Sequence, residues 1–235
     1  MLNTPNCAVQ VYYADRRTLS IDAVDALTTA DDRRRFAAST SARRRAEYLA
    51  GRALLRHALA QYTGEDASSF QIEVSPAGKP ECTFGPAISV SHSGDIVVCA
   101  VAEGTVGVDV EAGHARETEE IAARYFTPAE ARWIAGDSAT RFRMLWVLKE
   151  AYLKAVGVGI AGGLDSLDCR IDPPVIAACT AEGAAPQLGL LAGQGCHVGV
   201  AALGLLHPLQ VAVHRLAPDD GADAFGPLSL LARTA

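Results

Sequence analysis

The chain has 235 residues, 49% apolar and 20% charged, with a formal net charge of -6. So much apolar content with so little net charge excludes disorder, and no run of about 18 uncharged apolar residues is present to span a bilayer. The acidic balance argues against general nucleic-acid binding, which leaves a basic footprint.

The N-terminus MLNTPNCAVQVYYADRR lacks a basic segment leading into an apolar stretch, so the expectation is a soluble cytoplasmic protein. Residues 8–13 read as a strand. From Asp31 to Arg56 eight arginines stand against three acids in an otherwise acidic chain. The pattern over 43–62 predicts a helix with Tyr48, Leu49, Leu55, Leu59 and Tyr62 on one stripe, stopping near Gly64. Strand patterns follow at 70–74 and 87–91, with the tight loop Ala77-Gly78-Lys79-Pro80 between them. A strand at 96–102 and another at 105–111 are expected to form a hairpin about Glu103-Gly104. Thr127-Pro128-Ala129-Glu130 is a helix start, with a Thr cap, Pro at the first position and Glu three residues after the cap. A helix over 141–156 should end at Gly157. Strands at 167–171, 196–203 and 210–216 come next, and the tail from Pro218 is expected to be loose. Six cysteines without a Cys-x-x-Cys pair read as reduced, mostly buried thiols. Gly157 to Gly162 matches G-x-G-x-x-G but follows a helix instead of a strand, so it reads as a helix cap and loop.

A long helix followed by strands occurs in each half. The predicted fold is therefore α+β, with two similar pseudo-symmetric lobes, 1–106 and 107–235. Each is a long helix on a small, mostly antiparallel sheet, and the cleft between them is the natural ligand site.

Three segments carry candidate chemistry. In Gly107-Val108-Asp109-Val110-Glu111 the alternation of a strand puts both carboxylates on one face. That is either a solvated polar face or a pair of hard oxygen ligands suited to Mg²⁺. Trp146, Glu150 and Lys154 follow at helical spacing, with Lys149 beside them. The set is either an ordinary ion-paired surface or a third carboxylate with lysines for phosphate. Ser89-Val90-Ser91-His92-Ser93-Gly94 is either a turn or a donor cluster for phosphate oxygens. Only three lysines occur, Lys79, Lys149 and Lys154, all inside these segments or the loop before them.

The ordered set GKP (78–80), SVSHSG (89–94), VGVDVE (106–111) and W-x-x-K-E-A-Y-x-K (146–154), with GRALLR (51–56) and FTPAE (126–130), resembles the two-lobed, Sfp-like 4'-phosphopantetheinyl transferases over residues 30–160. The resemblance implies transfer of the phosphopantetheine arm of coenzyme A to a serine of an apo acyl or peptidyl carrier protein, releasing adenosine 3',5'-bisphosphate. It implies Mg²⁺ held by Asp109, Glu111 and Glu150, with Glu150 also taking the serine proton, directly or through water. It makes Lys154 a catalytic contact to the coenzyme's phosphates, and Lys79, Pro80, Ser91, His92 and Arg45 further coenzyme contacts. Contacts to the 3'-phosphate would fall among Arg33 to Arg35. One departure is Glu47, four positions before the glycine of GRALLR, where the family often has a basic residue. A monomer without nucleic-acid or membrane partners is expected. The alternatives are another Mg²⁺-dependent pyrophosphate-cleaving enzyme and a non-catalytic coenzyme- or carrier-binding homologue.

Overall fold

The computed structural model describes residues 8–37, 39–76, 78–113, 118–159, 163–180, 186–205, 207–216 and 226–234. In chain order the elements are β1 (Ala8–Asp15), α1 (Ile21–Leu27), α2 (Ala30–Arg35), α3 (Ala42–Thr63), β2 (Ile72–Val74), β3 (Pro80–Cys82), β4 (Ala87–Ser93), β5 (Ile96–Ala102) and β6 (Thr105–Ala112). Then come α4 (Thr118–Tyr125), α5 (Pro128–Ile134), α6 (Ser138–Val156), β7 (Leu167–Asp172), β8 (Val175–Thr180), β9 (Gln187–Gly193), β10 (Cys196–Leu203), β11 (Gln210–Arg215) and β12 (Ser229–Thr234).

The strands make a four-stranded sheet, ordered β11-β1-β5-β4, and a six-stranded sheet, ordered β6-β10-β9-β12-β8-β7; β2 and β3 pair separately. Most pairings are antiparallel, while β11 runs parallel to β1 and β12 to β8. Every residue of β5 is buried, as a strand covered on both faces must be. Val97, Cys99 and Val101 pack toward α3, whereas Ile96, Val98 and Ala100 join Val106, Val108 and Val110 in a core shared by the two sheets. The opposite face of the second sheet carries α6, in a core with Leu145, Leu148 and Ala151. The α+β architecture, with each long helix on its own sheet, is therefore present.

The expected hairpin between residues 96–102 and 105–111 is not. The turn at Glu103-Gly104 carries the chain from one sheet to the other: β5 pairs with β4 and β1, and β6 pairs with β10. The hairpin is β4–β5, closed by Gly94-Asp95 with Gly94 at φ 60°. Two adjacent apolar strands look alike whether they share a ladder or only a core. The tail is also more ordered than expected, since Ser229–Thr234 is a strand; residues 217–225 lie outside the described set. The helix cap at Thr127 forms with its reciprocal Glu130 bond. Gly157 caps α6 in the left-handed region, as expected, and residues 160–162 of that glycine pattern lie outside the described residues. Among the described cysteine side chains, Cys99, Cys169 and Cys196 are buried and Cys82 half-buried, all as free thiols.

Two glycines let α6 lie close to its sheet. An added Cβ on Gly107 would run into the Ala151 carbonyl, and one on Gly199 into the Val147 carbonyl. Gly199 faces Asp109 across the ladder, so this approach also sets the depth of the helix against the carboxylates. Gly199→Ala is expected to lower stability by about 1–3 kcal/mol through overpacking, read from a denaturant melt. Gly104→Ala, whose methyl would meet the Leu203 carbonyl at an ordinary 3.5 Å, is expected to leave the midpoint nearly unchanged.

Candidate active site

Alternation along β4 turns Ser89, Ser91 and Ser93 to one side, and all three hydroxyls bond to β6. Ser89 Oγ accepts from Val108 N (3.0 Å), and Ser93 Oγ accepts from Ala112 N (3.1 Å) and donates to Glu111 Oε2 (3.0 Å). Ser91 Oγ donates to Asp109 Oδ1 (2.7 Å). The SVSHS segment thus stitches the edges of the two sheets together and aims the two β6 carboxylates. From α6, Lys154 Nζ donates to the same Asp109 Oδ1 (2.6 Å) and to Ser91 Oγ (2.9 Å).

Glu150 lies one helical turn before Lys154 and is buried. Burial raises its carboxyl above the ordinary range, and the charges of Asp109 and Glu111 raise it further, against the lowering effect of Lys154. Glu111 is raised for the same reasons, burial first and then Asp109, with Ser93, Lys154 and Arg143 acting in the opposite sense. These are carboxylates short of positive charge.

Two oxygens in the group, Asp109 Oδ2 and Glu150 Oε1, are buried with no hydrogen-bond partner. A buried acceptor left without a donor is costly, and a hard divalent cation is the ligand such oxygens suit. Among the described residues no group of three His, Cys, Asp or Glu side chains is drawn together tightly enough to hold an ion as it stands. The donor set nonetheless fits one: Asp109 and Glu150 each offer a free buried oxygen, and Glu111 is held next to them by Ser93.

In front of this group lies a cavity of about 510 Å³. Its walls are Phe36, residues of α3 (Arg44, Glu47, Tyr48, Gly51, Arg52, Leu55), Val74, Gly78 and Pro80, the β4 residues Val90, Ser91 and His92, and Lys154. Ser91 and Lys154 therefore connect cavity and carboxylates. A groove of about 620 Å³ along Tyr62, Phe70 and Phe84 has acidic but no basic side chains in its lining, so it is the wrong place for phosphate.

Arg52 is the residue that periodicity missed. It is 3% exposed, its Nε donates to Tyr48 Oη (3.0 Å), and Asp32 Oδ1 lies 3.6 Å from the same Nε. Its Nη1 is buried without a partner, and the guanidinium rests on the Tyr48 ring, which stacks on Phe36 at 4.2 Å. The excess of arginine between Asp31 and Arg56 was the signal for it, but hydrophobic periodicity places such a residue on a wet face. Arg56, one turn on, is structural: it donates to Asp32 Oδ2 (2.6 Å) and to the carbonyls of Ala67 and Phe70 (2.9 Å each).

Pro80, Ser91, His92 and Lys154 line the cavity as the motifs suggested. Arg45 does not; it donates to the Ser39 carbonyl, and its neighbour Arg44 is the one at the wall. Arg33 bonds to Thr28, and Arg34 and Arg35 bond to Asp31; none of the three is among the residues that line the cavity. Lys79 turns away from the cavity that Gly78 and Pro80 line, and its Nζ donates to the Ala155 carbonyl (3.1 Å). Lys149 leaves the site altogether. It is fully buried, paired with Glu130 at 2.9 Å and bonded to the carbonyls of Leu164 and Leu167. Trp146 stacks against Phe142 and Phe126 in the helical core. Glu47 lines the cavity with its carboxyl held below the usual range, chiefly by the hydrogen bond from Arg43.

A basic cavity opening onto carboxylates with free buried oxygens has the chemistry that suits a phosphate ester or anhydride. Comparison with known proteins gives the family. Residues 32–102 match the 4'-phosphopantetheinyl transferase N-terminal domain, and residues 105–197 match the 4'-phosphopantetheinyl transferase superfamily. The chain is 35% identical over 129 residues to a 4'-phosphopantetheinyl transferase of Bacillus subtilis, covering 52% of this chain and 57% of that protein. It is 34% identical over 129 residues to the transferase psf-1 of Bacillus pumilus, covering 52% and 55%. With the transferase HetI of a Nostoc species the identity is 31% over 173 residues, covering 68% and 72%. The chain belongs to the 4'-phosphopantetheinyl transferase family. Its matches span little more than half the length of the two Bacillus relatives.

Proposed function

We propose that the chain transfers the 4'-phosphopantetheine arm of coenzyme A to a serine of an apo acyl or peptidyl carrier protein, with adenosine 3',5'-bisphosphate as the second product. The observation that carries this reading is the Lys154–Ser91–Asp109 bridge, which joins an arginine-lined cavity to buried carboxylates with free oxygens. In this reading the coenzyme's adenosine phosphates occupy the cavity against Arg44, Arg52 and His92, and the pyrophosphate lies at Lys154. Asp109, Glu111 and Glu150 would hold Mg²⁺, which would supply positive charge beside the pyrophosphate. Glu150 accepts the serine proton, directly or through water, as the oxygen–phosphorus bond forms. The phosphoanhydride bond breaks, and Lys154 neutralises the departing phosphate.

The reading divides the molecule into lobes 1–106 and 107–235, with β11 of the second crossing to pair with β1 in the sheet of the first; the carrier docks across the cleft, and the enzyme acts as a cytoplasmic monomer. No helix among the described residues is long and apolar enough to cross a membrane. The test is incubation with an apo-carrier, coenzyme A and Mg²⁺, followed by intact mass. A gain of one phosphopantetheine on the carrier, abolished by chelator, is the expected result. Phosphopantetheine released to water with the carrier unmodified would mark a hydrolase instead. Arg52→Met should weaken coenzyme binding by about tenfold or more, as loss of a charge-assisted hydrogen bond requires; calorimetry measures it, and an unchanged affinity would remove Arg52 from the phosphate site.

A further inference from the structure

The lysine of the Gly78-Lys79-Pro80 loop does something other than touch the ligand. Its two neighbours line the cavity while its own side chain crosses to the other long helix and ends on the Ala155 carbonyl, 3.1 Å away. That carbonyl is among the last four of α6, which have no partner within the helix, and a cation there also meets the negative end of the helix dipole. The loop that aims the lysine is pinned: Ser75 N donates to Lys79 O (2.9 Å), Gly78 N to Ser75 O (2.8 Å), and Lys79 N to Ser75 Oγ (3.1 Å). At the far end the helix is equally constrained. The Ala155 amide lies where a Cβ on Gly107 would go, and Gly157 N and Val158 N both return to the Leu153 carbonyl. The residue between Leu153 and Ala155 is Lys154, which bonds to Asp109 and Ser91.

We infer that Lys79 is a positioning residue, a strut from the β2–β3 loop to the last turn of α6 that fixes where Lys154 stands. It thereby couples the cavity wall formed by Gly78 and Pro80 to the carboxylate cluster, and acts on transfer through Lys154 without holding the coenzyme. The kinetic part of this inference rests on the transferase reading.

The experiment compares Lys79→Met, which keeps the stem and loses the donor, with Lys79→Arg, which keeps a cationic donor. Three quantities are read: kcat and KM for transfer, coenzyme A affinity by calorimetry, and hydrogen exchange of the Gly157 and Val158 amides. Lys79→Met is expected to lower kcat by about tenfold with coenzyme affinity within about twofold of the parent. Its Gly157 and Val158 amides should exchange faster, and Lys79→Arg should restore most of kcat. Should the Met variant fail to fold, Lys79→Gln, too short to reach Ala155, takes its place. A tenfold loss of coenzyme affinity with unchanged exchange would make Lys79 a ligand contact and overturn the inference. So would parental kcat and exchange in Lys79→Met. If the unaltered protein transfers nothing, the transferase reading fails, and exchange together with coenzyme binding still decides the strut.

Discussion

Replacing Glu150 with glutamine is expected to lower kcat for transfer by roughly a hundredfold to ten-thousandfold, the range for loss of a general base, while coenzyme A still binds. The substitution keeps the shape and removes the charge. Glu150 is not part of the cavity wall, so the contacts that would hold the coenzyme remain. Nor should the fold suffer. Burial and two neighbouring carboxylates make the ionised Glu150 costly, so removing its charge should leave the thermal midpoint unchanged or raise it. Stability, binding and turnover measured on one preparation separate these effects. Turnover equal to the parent would contradict the role given to Glu150.

The next residue along the chain should behave in the opposite way. Lys149→Met is expected to destabilise the protein by about 3–5 kcal/mol, as removal of one partner of a buried ion pair does. Lys149 is 0% exposed and Glu130 3%. The ammonium satisfies Glu130 Oε1 and the carbonyls of Leu164 and Leu167, and lies over the Phe126 ring. Glu130 in turn caps α5 through Thr127 and accepts from Cys169 N (2.8 Å). Without the lysine its carboxylate stays buried with only those neutral donors. Chemical denaturation measures the loss; a midpoint within about 0.5 kcal/mol of the parent, the range of ordinary surface substitutions, would contradict this account.

These neighbours mark where the sequence was legible and where it was not. Helical spacing put Glu150 and Lys154 on one stripe, and strand alternation put Asp109 and Glu111 on one face; local periodicity fixes such relations. It does not say what lies opposite. Lys149 looked like part of a wet basic group because its partner, Glu130, is nineteen positions away and belonged to a different motif, the helix cap. Arg52 and Lys79 show the same limit: Asp32, twenty positions before Arg52, and the Ala155 carbonyl met by Lys79 are tertiary neighbours that local spacing does not reveal. The β5–β6 hairpin failed because two apolar strands joined by a tight turn carry no mark of which edge each will pair with. The strands β8, β9 and β12 escaped notice: β8 follows the prolines Pro173 and Pro174, β9 carries Gly189 within its span, and β12 lies in a tail whose composition suggested none.

The most direct test is a Mn²⁺ titration with coenzyme A present, following free ion by electron paramagnetic resonance. Asp109, Glu111 and Glu150 predict one ion retained per chain, and its loss when Asp109→Asn and Glu150→Gln are combined. Equal retention by the doubly substituted protein, with its fold intact, would place the ion elsewhere and contradict the account.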